Sequence, residues 1–356
     1  MKNFITTGAI LLMTTTIASA GGLDRSGQNI GAIFEDGNYA ELTFGNVSPN
    51  VSGVGFATGF GGTGAFTGNI TPSYTQFGMT YKTQVSEEVS LALIYDQPFG
   101  ADVDYVTPGY VLTTAGATVE SDGITALVRY KINPNFSVHS GMRYVQANGF
   151  YSFNLAAYKS TYSNDGGFGY VVGSAYERDD IAMRVALTYG SEIELSLDGN
   201  VGGNTLKTTL PESVNIDFQT GIAADTLLFG SVRYVAWDGF MLVDSNNPTR
   251  SGNILAYTDD IYTYNIGIGR SITEDFSASF SVGYEDSTGE TTGNLGPTDG
   301  MISYQIGAAY TLDSDIEISG GLRYINLGDA TTDAPVSGDF ADNEVIAVGI
   351  KLAYNY

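Results

Sequence analysis

The chain has 356 residues, with 15 Lys and Arg against 39 Asp and Glu, for a formal net charge of −24. That balance excludes nucleic acid as a partner, because phosphate binding needs clustered cations. Cys is absent, which excludes disulfides and thiolate metal sites.

Length alone fits either two soluble domains or one large barrel. Mean hydropathy is near zero. After the first twenty positions no run of eighteen apolar residues occurs, so no transmembrane helix is expected. A closed barrel remains possible, since it also satisfies every backbone group internally.

Residues 1–20 read as a secretory signal peptide. Lys2 supplies the positive start, residues 4–17 are mostly apolar, and Ala18-Ser19-Ala20 fits the small-residue cleavage rule. The mature chain is expected to begin at Gly21 and to be exported. Residues 21–38 lack a strand period; Leu23, Ile30, Ile33 and Phe34 stand among Gly and polar residues, and Asn38 closes the segment.

Strands then recur. Fourteen are expected, at 39–50, 70–83, 88–106, 119–132, 135–153, 168–178, 181–197, 207–222, 225–243, 256–271, 275–287, 299–312, 315–328 and 342–356. Their connections alternate. Short ones carry turn residues, such as Asn133-Pro134-Asn135 and Thr273-Glu274-Asp275. Long ones, rich in Gly, Ser, Thr and Asn, fill 51–69, 107–118, 154–167, 198–206, 244–255, 288–298 and 329–341. Short–long alternation with an even strand count is the pattern of a bacterial outer-membrane barrel. A soluble sandwich has no reason to gather its long loops at one end.

Period-two alternation assigns the faces. In 136–144, Phe136, Val138, Met142 and Tyr144 oppose Ser137, His139, Gly141 and Arg143. The last stretch alternates to the final residue: Ile346, Val348, Ile350, Leu352, Tyr354 and Tyr356 share one face. The apolar sets should face lipid, with the aromatic end at the interface. Arg-Tyr recurs at 129–130, 143–144, 233–234 and 323–324. Each pair should send Tyr to lipid and Arg inward.

The inward set Arg143, Arg184, Arg233 and Arg323 has two readings. One is attraction of an anionic headgroup. The other, preferred here, is a structural network with Glu192, Glu194, Asp217 and Glu317, because buried charges need partners. His139 is the only histidine, and Ser140 beside it points to the opposite face, so the two form no dyad. No enzymatic constellation, cofactor motif or metal-ligand spacing is found. Gln97-Pro98-Phe99-Gly100 interrupts the third strand. Pro donates nothing to a ladder and Gly weakens one, so the strand either kinks there or ends at Asp96.

At this point the chain resembles the FadL family of long-chain fatty acid transporters over most of its mature length. The resemblance is carried by Thr188-Tyr189-Gly190-Ser191-Glu192-Ile193, by Thr209-Leu210-Pro211-Glu212 and by Val235-Ala236-Trp237. The pairing of 261–271 with 275–284 and the terminal Tyr354-Asn355-Tyr356 add to it. It implies an all-β, fourteen-stranded antiparallel transmembrane barrel at 39–356, with residues 21–38 as a short hatch in the lumen. It also implies hydrophobic substrates and a lateral gate at Gln97, Pro98, Phe99 and Gly100. Asn38-Tyr39-Ala40 stands where the family often has Asn-Pro-Ala. The family's carboxylate-binding residues have no clear counterpart; Lys159 and Arg250 are the substitutes to test.

The expected function is passive transport of hydrophobic molecules, foremost long-chain fatty acids or hydrocarbons, across the outer membrane of a Gram-negative bacterium. Loop residues Leu155, Tyr158, Phe56, Phe60 and Phe66 would collect substrate. The expected partners are these small molecules, outer-membrane lipid and the barrel assembly machinery, and the chain is expected to be monomeric. The alternatives are a general diffusion porin and a structural or adhesive barrel.

Overall fold

The structure, a computed structural model, describes residues 22–56, 64–248, 252–312, 315–333 and 335–356. The expected signal peptide, Phe60 and Arg250 lie outside them.

One antiparallel sheet closes on itself. In chain order its strands are β1 (Tyr39–Asn50), β2 (Tyr74–Gln84), β3 (Val89–Asp96, resuming at Gly100–Asp104), β4 (Gly116–Asn133), β5 (Phe136–Phe153), β6 (Tyr158–Arg178) and β7 (Met183–Gly190). They continue as β8 (Ser213–Ala223), β9 (Thr226–Val235), β10 (Ile261–Ser271), β11 (Phe276–Glu285), β12 (Met301–Leu312), β13 (Ile316–Leu327) and β14 (Glu344–Asn355). The sheet has fifteen pieces, two of which are the halves of β3, so the barrel has fourteen strands. Each strand pairs with its sequence neighbour, and β1 pairs with β14 from Tyr39↔Asn355 to Asn50↔Glu344, which closes the ring.

The expected faces hold. Tyr130, Met142, Ile266, Ile306, Ile350 and Tyr354 are exposed outward, while Arg129, His139, Arg143, Arg233 and Arg323 are buried inward. The outward row makes the apolar belt that a lipid-facing wall requires. At the closing seam, Asn38 and Tyr356 exchange backbone hydrogen bonds, and the Tyr356 hydroxyl meets that of Tyr81 at 3.0 Å.

Four expected strands are too long. The stretches 181–197, 207–222, 225–243 and 256–271 each cross from the wall into an external four-stranded sheet built from Ile193–Asp198, Thr205–Leu210, Met241–Asp244 and Asn253–Ala256. In the first two, alternation continues through the crossing but its phase flips. Ala186 and Thr188 are buried before the crossing, and Ile193, Leu195 and Leu197 after it. The expected third long loop is also corrected. Residues 158–167 extend β6 upward against β5, from Phe153↔Tyr158 onward. Tyr158, Ser160 and Tyr162 are buried on one face, and the polar Ser160 among them concealed that alternation. A three-stranded patch of Gly53–Gly55, Ala330–Thr331 and Gly338–Phe340 completes the external end.

Candidate functional site: a window in the wall and the segment that fills it

The third strand is broken where Pro98 and Gly100 stand. The β2–β3 ladder runs from Gln84↔Ser90 to Met79↔Tyr95 and stops. Beyond it, Gly100–Asp104 pairs with β4 alone. The buried phase flips here too: Ser90, Ala92 and Ile94 point inward before the break, Phe99 and Val103 after it. The Phe77 N–H donates to the Gln97 side chain at 3.0 Å, and above the break the Asp104 N–H donates to the Ile70 carbonyl at 2.8 Å. Between those two points the wall has a window.

The N-terminal segment fills it. The Arg25 N–H donates to the Pro98 carbonyl and the Gly100 N–H to the Leu23 carbonyl, each at 2.8 Å, and Asp24 and Phe99 form an antiparallel bridge. Pro98 cannot donate, but its carbonyl still accepts, so the ladder that β2 abandons is taken up by residues 23–26. The Phe99 N–H and carbonyl are satisfied by the Ser121 hydroxyl at 2.8 and 2.6 Å. Ser26 Oγ donates to Asp96 at 2.5 Å.

The inward arginines hold the same segment. Arg233 Nε donates to Asp24 at 2.5 Å in a pair that is almost fully buried. Arg143 donates to the Gln28 side chain and, at 2.9 Å, to Thr125. Arg129 and Arg184 lie over the Phe34 ring at 4.7 and 4.9 Å, and His139 meets its edge at 5.6 Å. His139 Nε2 lies 3.0 Å from Thr188 Oγ1, as expected of a structural residue. Arg323 instead binds Ser303 of the wall at 2.9 Å, and Glu317 lies 3.8 Å from Lys351. The expected network with Glu192 and Glu194 does not form, because both are exposed beyond the point where β7 leaves the wall. Leu23, Ile30, Ile33 and Phe34 are all buried, the last two in the short 3₁₀ turn Gly31–Phe34. Asn38 sits at the seam, where its side chain accepts from Thr83 and from the Gln84 N–H, each at 3.0 Å.

Above the segment lies an apolar cluster. Trp237 packs edge-on against Phe99 at 6.2 Å, Phe240 at 4.8 Å and Tyr257 at 5.2 Å. A Cβ on Gly22 would lie 2.7 Å from the Trp237 indole nitrogen, so the segment can pass only as glycine. An enclosed cavity of about 20 Å³ opens here, with Leu23, Phe99, Ala147, Leu195, Leu210 and Leu242 among its lining residues. It touches the window at Phe99 and the N-terminal segment at Leu23. Ligand pockets commonly measure roughly 300–1,000 Å³, so a ligand fits only if these side chains move. A larger hollow of about 600 Å³ lies on the outward face between Phe168, Tyr170 and Tyr189; its walls belong to the lipid-facing surface, not to the lumen.

The external cap is pinned by Asp244. Tyr158 and Tyr162 donate to it at 2.5 and 2.6 Å, and Asn204 Nδ2 lies 3.0 Å from both of its oxygens. Burial alone would raise the Asp244 pKa, but the hydrogen bonds from Tyr158, Tyr162, Asn246 and Asn204 together hold it below the usual carboxylate value. Tyr158 is thus a buried strut. Lys159 points out of the cluster, is exposed, and lies over Phe150 at 5.1 Å, so it cannot meet a ligand in the cavity. Leu155 is exposed at the β5–β6 tip. Phe56 is half-buried, and Phe66 is exposed in a bridge with Val54. Sequence reasoning missed Asp24, Arg25, Gln28, Phe240 and Tyr257. Asp24-Arg25 was the available signal, adjacent opposite charges early in a Gly-rich leader whose other charges, Glu35 and Asp36, come at its end.

A closed fourteen-stranded barrel with a broken third strand and an N-terminal segment in its lumen defines the class: an outer-membrane-type β-barrel with a plugged interior. Solved structures of that class resemble it. A FadL homologue of Pseudomonas aeruginosa aligns with a TM-score of 0.76 at 14% identity, covering 95% of this chain and 96% of that one. The P. putida toluene transporter TodX aligns at 0.65 and 13% over 92% of each chain. The Ralstonia pickettii toluene transporter TbuX aligns at 0.62 and 11%, over 96% of this chain and 98% of that one. No family model and no curated protein matches the sequence. The chain therefore has the fold of the FadL-type transporters.

Proposed function

We propose that the protein is a passive outer-membrane channel for hydrophobic small molecules, released sideways through the β2–β3 window. The observation that carries this reading is the junction of an enclosed apolar cavity with a break in the wall, both covered by residues 22–26. Burying hydrocarbon gains about 0.8 kcal/mol per methylene, so capture needs no energy source. The ligand would pass under the external cap into the aromatic cluster. Residues 21–38 would act as a hatch and shift, and the window would deliver the ligand into lipid. Gln97, Pro98, Phe99 and Gly100 are the gate in this scheme.

The neighbours described as toluene transporters and as a FadL homologue are compatible with hydrocarbons or long-chain fatty acids as ligands. Among the described residues the cavity lining carries no basic side chain, which suits hydrocarbon more than a carboxylate head. The plugged lumen argues against a general diffusion porin, which needs an open aqueous path. The scheme places the protein in the outer membrane as a monomer, delivered by a signal peptide and folded by the barrel assembly machinery. The test is uptake of a long-chain fatty acid and of toluene by cells producing the protein. At least one of the two rates should exceed that of vector-only cells. Equal rates for both ligands, together with large steady ion currents in planar bilayers, would replace this reading with the porin.

A further inference from the structure

The window is closed by more than backbone. Arg25 sends its guanidinium into it. The group lies 3.9 Å from the centre of the Tyr74 ring, on the β2 side. On the β3 side, a Cβ added to Gly100 would stand 2.6 Å from the guanidinium carbon. Gly100 pairs with Glu120 and Asp102 with Thr118, so all four share one face of the sheet. That face is the outer one, because Phe99 and Val103 point inward and Glu120 is exposed. Along β4 the outward apolar row of Tyr130, Val128 and Ile124 ends at Asp122 and Glu120. The outer mouth of the window is therefore lined with carboxylates above the apolar belt.

Arg25 is held loosely for a buried cation. Burial disfavours its charge, while the carboxylates of Asp102 and Glu120 favour it from the outer side. Its Nε finds no hydrogen-bond acceptor among the described residues. Leaving a buried donor unsatisfied is unfavourable and favours any move that wets it. The side chain is long enough to swing toward the outer mouth while its backbone stays bonded to Pro98.

We propose that the Arg25 side chain is a movable stopper in the window, seated on Tyr74 when closed and drawn outward toward Asp102 and Glu120 to let an uncharged hydrophobic ligand pass. This rests on the window being the release route. Gly100 is then required as the one residue that leaves the seat empty.

The absence of native Cys allows a direct test. Ala147→Cys places one thiol in the cavity lining, and pyrenyl maleimide supplied from the lipid phase of nanodiscs labels it. Adding Arg25→Ala, or Tyr74→Ala, should speed labelling at least tenfold. Ser26→Ala, which loosens the segment from Asp96 but leaves the stopper, should not. An unchanged rate in Arg25→Ala overturns the proposal, as does equal acceleration by Ser26→Ala. Ligand uptake by cells with native Arg25 is measured alongside. If uptake is no faster than in vector-only cells, the transport reading fails, while the labelling rates still decide the stopper.

Discussion

Replacing Arg233 with Leu should free the N-terminal segment without unfolding the barrel. Arg233 and Asp24 are 8% and 4% exposed and 2.5 Å apart, so neither is screened by solvent. Removing one partner leaves a buried, unpaired carboxylate, at a cost of about 3–5 kcal/mol. Apart from its bridge to Phe99, Asp24 lies outside the strand-to-strand ladders of the wall, so the cost falls on the segment's own opening equilibrium. Local opening should rise by about two to three and a half powers of ten, at about 1.4 kcal/mol per tenfold. Hydrogen exchange of a peptide covering residues 22–34, in detergent, reads this directly. The double variant Asp24→Leu with Arg233→Leu removes both charges and should restore most of the protection. Unchanged protection in Arg233→Leu, or equal loss in the double variant, would show that the pair does not anchor the segment.

Other outcomes follow from the same contacts. Because the folded Asp244 carboxyl titrates below its unfolded value, its contribution to the cap is present above about pH 4 and lost as pH falls through the folded value. The emission of Trp237, the only tryptophan, should therefore be flat from pH 7 to 5 and shift to the red only below about 4; a midpoint above 5 would exclude Asp244 as the cause. Lys159→Ala should leave uptake of any hydrophobic ligand within about twofold of the parent, and a larger fall would mean that the side chain reaches the ligand path. Deleting Tyr356 should lower the yield of assembled barrel far more than Leu155→Asp at a loop tip, since Tyr356 bonds across the closing seam to Asn38 and Tyr81. Equal yields would argue that the seam tolerates its loss.

The wall was legible because lipid demands strict alternation on one face of every strand. Phe136, Val138 and Met142 against His139 and Arg143 could be placed from spacing alone, and β1 begins and ends where expected. What spacing could not show was where a strand leaves the wall. Ile193, Leu195 and Leu197 alternate as well as any barrel strand, because the external sheet also buries one face. Only the change of phase at Ser191-Glu192 and at Gln97-Pro98 marks the departure. The partners of the lumenal arginines were not legible either. They lie some two hundred positions away for Arg233, in a leader without period, so only the folded chain joins Asp24 to Arg233 and Phe34 to Arg129 and Arg184. Lys159 was a reasonable choice on charge, but its place on the outward phase of an extended β6 was hidden by the polar composition of 158–167.

Sideways release through the window is tested most directly by locking the segment across it. Ser26 and Asp96 touch at 2.5 Å, and paired cysteines there would tie the N-terminal segment to the broken strand. Uptake of hydrophobic ligand by cells carrying Ser26→Cys with Asp96→Cys should fall to the vector-only level on oxidation and recover on reduction. Undiminished uptake with the cross-link complete would contradict release by this route.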